Sequence, residues 1–409
     1  MANFKPLTER TRRLPRRSRP PVAVSAGIMV LVLGIWLELW RLTALTSGLA
    51  SKAEVATKHS LYLDSPWWKS PAYLYGPYYS LVHASYRISH NLFGLRLLSI
   101  IIGLLSAILV YLIANNWHGY KIATLSTVSY LTGFGFLAVT RQGIPLSSQM
   151  LLIIALLSAI LTVNNWDGGI ALLYFIVVSI AGLYIPGGIW IVLVSWILTF
   201  ADLKWSFKRI KPKYAGGLVL AGLIMLAPLT YRLTAVYSNS QLLSWLGYGL
   251  HGKLSALKQF ATNFYSVPLN LFIHNMNLSR TLSLGHLPLL PAAESIVIAI
   301  GLYCYARRLN NFNWRCVSAL IVVCWLMVGF GVFSVFSLLP LLALAMGAGL
   351  TYMLKQWYEI FPQNPIARQV GVGLMAIVML FSSFYAARSY FVAWANDPST
   401  VSQYTYHLD

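Results

Sequence analysis

The chain has 409 residues, of which 58% are hydrophobic, 14% aromatic and only 10% charged. Soluble domains carry roughly 25% charged and about 45–50% apolar residues, so this composition excludes a water-soluble enzyme and a disordered chain alike. Lys and Arg number 30 against 10 Asp and Glu, a net charge of +20; most of these cations sit between apolar runs, where they orient a membrane protein and meet anionic head groups or a phosphate-bearing substrate, so no nucleic-acid partner is expected.

A helix crosses about 30 Å of hydrocarbon with an apolar run near 20 residues, and long runs of this kind dominate the chain. Residues 1–21 form a basic segment with Lys5, Arg10, Arg12, Arg13, Arg16, Arg17 and Arg19. The first span, 22–42, carries Glu38 between Trp36 and Trp40 and is too long for a cleaved signal, which predicts an uncleaved anchor. Glu38 is expected to pair with Arg41 near the interface. Further spans are predicted at 94–114, 121–140, 146–163, 168–186, 188–203, 214–233, 287–305, 316–336, 337–354 and 370–393. The fold class is therefore an all-α polytopic membrane protein with about 11 transmembrane helices. Its transmembrane domain covers 22–393, with a tail at 394–409.

Orientation follows from the cations. The N-terminal segment, the loop with Lys204, Lys208, Arg209, Lys211 and Lys213, and the loop with Arg307, Arg308 and Arg315 fall on one side if the span count holds. That side is expected to be the cytoplasm, which puts the tail outside and the protein in the inner (plasma) membrane. Two long loops then lie outside, 43–93 and 234–286, and both carry patterns of interfacial helices. In the first, Tyr78, Leu81, Val82 and Tyr86 form one side of a helix, with His83, Arg87 and His90 interspersed. In the second, Leu242, Leu243, Trp245, Leu246, Leu254, Leu257 and Phe260 alternate with Lys253 and Lys258.

Few acids face the outer side. Glu54 opens a predicted helix, where a carboxylate near the positive end of the helix dipole is already favourable; a substrate role is the other reading. Asp64 shares its loop, and Glu294 caps or lines the start of the eighth span. Cys304, Cys316 and Cys324 make no paired framework, and no Gly-rich nucleotide fingerprint occurs. Glu54 with His59 is a thin ligand set, and His83 and His90 are too far apart for one ion, so no metal and no cofactor is expected.

The order of these features resembles a family. The external acid, the aromatic stretch Ser70-Pro71-Ala72-Tyr73-Leu74-Tyr75, the run Phe93-Gly94-Leu95-Arg96-Leu97-Leu98 entering the second span, and Val139-Thr140-Arg141-Gln142 closing the third are similar to the polytopic glycosyltransferases of the C superfamily. Within it they resemble the protein mannosyltransferase and aminoarabinose transferase group. The resemblance covers about the first 165 residues. It implies a transferase that moves a sugar from a polyprenyl-phosphate donor to a lipid, glycan or protein acceptor on the extracytoplasmic face, by an inverting displacement. It also implies roles: Glu54, helped by Asp64, as the catalytic acid pair, and Arg96, Arg141, Lys58 and His59 as ligands of the donor phosphate. The family commonly has adjacent Asp and Glu in this loop, whereas Ala53 precedes Glu54 here. That departure keeps open a non-catalytic lipid-binding subunit of a cell-envelope complex. A transporter or flippase of a lipid-linked substrate is the further alternative, with Pro186 and Pro340 as candidate breaks.

Overall fold

The computed structural model describes residues 21–61, 75–165, 169–209, 212–236, 238–246, 253–276 and 278–406. The sequence expectation at Asp64 lies outside them, as does the basic segment up to residue 20.

Helices occupy every place where the sequence predicts a span: α1 (Pro21–Leu39), α4 (Leu92–His118), α5 (Tyr120–Thr132) with α6 (Phe134–Thr140), α7 (Leu146–Asn165), α8 (Gly169–Leu183), α9 (Gly188–Arg209), α10 (Pro212–Tyr231), α13 (Ala292–Arg307), α14 (Phe312–Gly329), α15 (Leu339–Ile360) and α16 (Pro365–Arg388). Six are long and apolar enough to cross a membrane, and a seventh results if α5 and α6 are one span bent by 58° at Gly133. The chain is thus a polytopic helical protein with six or seven candidate spans among the described residues.

Both long loops contain helices where the sequence patterns predict them. The first holds α2 (Lys52–Leu61) and α3 (Gly76–Ser89), the second α11 (Asn239–Leu246) and α12 (Lys253–Phe272). On α3, Tyr78, Val82 and Tyr86 recur every fourth residue and are buried together with Leu92 and Leu95. Leu81 and Ile88 of the same helix stay exposed. Trp245 of α11 seats among Ile180, Tyr184 and Leu229 and donates its indole N–H to the Leu183 carbonyl at 2.9 Å.

The core centres on α15, whose residues Leu339 to Leu350 are all buried. It crosses α13 at backbone contact: a Cβ on Gly301 would meet the Ala345 carbonyl oxygen at 1.8 Å, and one on Gly349 the Val297 carbonyl oxygen at 2.0 Å. Small residues permit this approach where lipid offers no hydrophobic drive between helices. The segment after α1 also meets the C-terminal segment, through the antiparallel pair β1 (Ala50–Ser51) and β2 (Tyr404–Tyr406). Leading into β2, α16 continues as a π-helical turn, Ser389–Trp394, and a short helix α17 (Pro398–Val401).

Candidate functional site

The strand β1 delivers the chain into α2 through Ser51-Lys52-Ala53-Glu54, a capping box. Glu54 N–H donates to Ser51 Oγ at 3.4 Å, and the Glu54 carboxylate accepts from Ser51 N–H at 2.9 Å and Ser51 Oγ at 3.2 Å, both on Oε2. The carboxylate is fully buried. It faces Arg96 in the second turn of α4, whose start is fixed by Asn91 accepting from Gly94 N–H at 3.1 Å. Arg96 grips Glu54 two-pronged, Nε to Oε1 at 2.7 Å and Nη2 to Oε2 at 3.1 Å, and sends Nη1 to the Leu42 carbonyl at 2.7 Å. Gly143 N–H adds a further bond to Oε1 at 3.2 Å. Burial pushes the Glu54 carboxyl up, but the guanidinium and the N–H donors outweigh it and hold it below the usual carboxylate range.

Arg141, at the end of α6, is buried in a different way. Its Nη1 donates to the Leu37 carbonyl and, at 3.0 Å, to that of Glu38; its Nη2 reaches the Trp40 carbonyl at 2.8 Å. These carbonyls lie in the last turn of α1 and just beyond it, where the helix itself leaves them without partners and a cation is favoured. The guanidinium carbon also sits 4.9 Å from the Phe391 ring centroid and 5.6 Å from that of Tyr390.

The expected Glu38–Arg41 pair is corrected by this arrangement. Arg41 is exposed and takes a left-handed backbone, φ 52°, which ends the helical register that would bring the two together. Glu38 is instead buried and accepts from Thr140 Oγ1 at 2.5 Å, with Oε2 unpartnered among the described residues. Glu294 lies in the first turn of α13, as expected, and accepts from Ser382 Oγ at 3.1 Å.

Arg96 and Arg141 line one cavity together with Leu42, Leu45, Gln142, Tyr390, Trp394 and Tyr404. Its volume is about 10 Å³, room for no more than about one water. The sequence reading expects the arginines and Glu54 to converge on a pocket open sideways to acyl chains. The arginines do converge, with Glu54 directly behind Arg96, but aromatic side chains of the C-terminal segment close the space.

A larger apolar groove of about 270 Å³ runs beside it, between α3, α4, α7 and α8, with Tyr78, Leu81, Ile102, Leu151, Val178 and Tyr184 among its walls. Tyr78, one wall of the groove, has its Oη 2.7 Å from Ser99 Oγ, and Ser99 Oγ donates to the Ile144 carbonyl at 3.2 Å. Ser99 is one turn beyond Arg96 on α4, and Ile144 follows the Gly143 that binds Glu54. At the far end of the groove, Gln149 donates to Tyr75 Oη at 2.8 Å and accepts from Ser334 N–H at 3.1 Å.

Of the remaining expected ligands, Lys58 is half-buried on α2, one turn beyond Glu54. The backbone of His59 belongs to α2, and its side chain lies outside the described residues, like Asp64. Among the described residues no group of three His, Cys, Asp or Glu comes together. The sequence reading placed Tyr78 on one side of a helix but gave it no role at the site, and did not single out Ser51, Ser99, Gly143, Tyr390, Trp394 or Tyr404. Only Ser51 had a local signal, the S-x-x-E spacing.

No family model and no curated protein matches the sequence. Solved structures do. ArnT from Cupriavidus metallidurans in the apo state matches with a TM-score of 0.54 at 11% identity, covering 93% of this chain and 77% of that one. The same protein bound to undecaprenyl phosphate matches with 0.50 at 10% identity, covering 94% and 76%. The archaeal oligosaccharyltransferase AglB from Archaeoglobus fulgidus, in complex with an inhibitory peptide and a dolichol-phosphate, matches with 0.57 at 13% identity, covering 93% of this chain and 56% of its own. The chain shares its fold with these membrane proteins.

Proposed function

We propose that the protein is a membrane glycosyltransferase, moving a sugar from a polyprenyl-phosphate carrier to a lipid, glycan or protein acceptor on the extracytoplasmic side of the membrane. One observation carries this reading: Tyr78, a wall of the apolar groove, is hydrogen-bonded to Ser99, one turn along α4 from the Arg96 that grips the buried Glu54 carboxylate and lines the second cavity. A polyprenyl tail suits the groove, and its phosphate suits Arg96 and Arg141, whose charges are shielded from water. The lipid phosphates bound by ArnT and AglB support the same class of donor.

In the proposed reaction an acceptor hydroxyl attacks the anomeric carbon as the bond from that carbon to the phosphate oxygen breaks. The proton passes to Glu54, and polyprenyl phosphate leaves with its charge stabilised by the two guanidinium groups. At rest Glu54 is a poor base, because Arg96 and the N–H donors hold it ionised. A phosphate competing for Arg96 takes away that partner, and the carboxylate becomes more basic as the donor binds. An oligosaccharyltransferase from Archaeoglobus fulgidus has been solved with zinc and sulfate. Here Glu54 faces the Arg96 guanidinium.

The specific alternative is a non-catalytic carrier-binding protein, favoured by the five hydrogen bonds that Glu54 accepts. The test uses polyprenyl-phosphate sugars labelled in the sugar, with nanodiscs holding either wild type or Glu54→Asp, which keeps the charge but withdraws the carboxylate by one methylene. Sugar transfer by wild type that falls about 10²–10⁴-fold in the variant is the expected result. Retention of the carrier by wild type with all label left on it establishes the non-catalytic reading, and failure to retain the carrier rejects both.

A further inference from the structure

The cavity lined by the two arginines is narrowed by the chain's own C-terminal segment. Tyr390 and Trp394 stack with ring centroids 4.7 Å apart, Trp394 donates its indole N–H to the Arg280 carbonyl at 3.0 Å, and Tyr404 packs edge-on against Trp394 at 5.8 Å. Tyr404 is buried and forms one wall of the cavity, beside Arg96 and Arg141. With these side chains seated, about 10 Å³ remains, which admits neither a phosphate nor the sugar attached to it.

We propose that residues 398–406 are a strap that gates the carrier-phosphate site, opening when β2 leaves β1 and Tyr404 leaves the cavity. The inference rests on reading that cavity as the site for the carrier phosphate. Three features make this segment the moving part. Its ladder is two paired positions long, Ala50 with Tyr406 and Ser51 with Tyr404, and its register shifts between them, so few hydrogen bonds oppose release. The Thr400 hydroxyl is buried without a partner among the described residues, so the seated state leaves a polar group unsatisfied. Of the residues that line the cavity only Tyr404 belongs to this segment; Leu42, Leu45, Gln142, Tyr390, Trp394 and both arginines stay on the body of the protein when the strap lifts, leaving a basic hollow with an aromatic and apolar lip.

The strap is also wired to the carboxylate. Ser51 pairs with Tyr404 in the ladder and, through its N–H and hydroxyl, binds Glu54 Oε2. Release of β2 therefore loosens the residue that helps to pin Glu54, at the moment when a phosphate would compete for Arg96. Entry of the donor and activation of the base become one event.

The paired positions allow the gate to be locked. Ala50→Cys with Tyr406→Cys, in the full-length chain in nanodiscs, places two thiols across the ladder; Cys304, Cys316 and Cys324 are buried, and each single variant controls for them. Tritiated polyprenyl phosphate and the uncharged polyprenol of the same length are the probes, each measured before and after oxidation. The reduced protein is expected to bind the phosphate at least tenfold tighter than the alcohol. Oxidation is expected to bring the phosphate to the affinity of the alcohol, and reductant to restore it. An intact tenfold preference in the oxidised protein overturns the gate while the donor-site reading stands. A reduced protein that does not distinguish phosphate from alcohol overturns the donor-site reading and the gate with it.

Discussion

Arg96 and Arg141 are both buried and line the same cavity, yet their charges are managed in opposite ways. Arg96 is cancelled by a carboxylate that it grips with two nitrogens. Arg141 has main-chain carbonyls and two aromatic faces in that place. Dipoles and rings stabilise a cation without neutralising it, so the Arg141 side of the cavity keeps a positive field, while Arg96 offers one only when Glu54 is displaced. A phosphate arriving in the cavity meets one resident cation and one that must be unpaired. That asymmetry is what permits binding at one arginine to change the basicity of a carboxylate at the other.

The largest consequence lies at the neutralised pair. Glu54→Ala strands a guanidinium in the interior, and the expected loss is about 3–5 kcal/mol, read by unfolding titration in mixed micelles. Adding Arg96→Met to that variant removes the stranded charge and is expected to restore most of the loss, since an apolar replacement of a buried ion pair is often neutral. The same pair sets a pH dependence. Glu54 is held below its ordinary value of about 4.3, so its contribution is complete above that value and is lost as pH falls through the lower, folded-state value. Wild type is expected to lose stability there on acidification, and the double variant to lack this part of the slope.

A smaller loss is expected at the other arginine. Arg141→Met frees the carbonyls of Leu37, Glu38 and Trp40 at the end of α1, at a cost of about 2 kcal/mol, because other donors and water at the rim recover part of the bonding. Among the described residues no carboxylate is hydrogen-bonded to Arg141 as Glu54 is to Arg96, and the nearby Glu38 bonds Thr140 instead, so Glu38→Gln is expected to give no comparable rescue in the same unfolding measurement. A rescue as large as that of the Glu54–Arg96 pair would erase the distinction between the two sites.

The sequence carries the neutralised site better than the dipolar one. Glu54 is legible as a first-turn acid, and Ser51 stands three residues before it in the spacing of a capping box. The helix α3 is legible in the four-residue recurrence of Tyr78, Val82 and Tyr86, and the spans in the long apolar runs. Arg141 gives no comparable signal, because its partners are main-chain carbonyls that any residue supplies. The resemblance at Val139-Thr140-Arg141-Gln142 points to the position, but not to its contact with the end of α1. Pairing of Glu38 with Arg41 fails for a related reason: the helical spacing of the two assumes a helix that ends earlier, at Leu39. The closure of the cavity is beyond local reading altogether. β1 and β2 are a few residues each, at opposite ends of the chain, and neither pattern specifies the other.

Ser51→Ala gives the smallest expected effect and separates the capping role of this residue from its place in the ladder. The substitution deletes the hydroxyl that accepts from Glu54 N–H and donates to Oε2, but it keeps the Ser51 N–H and the backbone that pairs with Tyr404. A loss of about 1 kcal/mol is expected, the usual worth of an N-cap hydroxyl, with Arg96 still neutralised. The ion pair then holds Glu54 in place with one donor fewer, so the low-pH loss of stability should persist and begin at a slightly higher pH, because the folded-state carboxyl has lost a bond that favours its charged form. A loss as large as that of Glu54→Ala would mean that the hydroxyl, and not the guanidinium, keeps the carboxylate buried, and the contrast between the two arginines would then rest on the wrong partner.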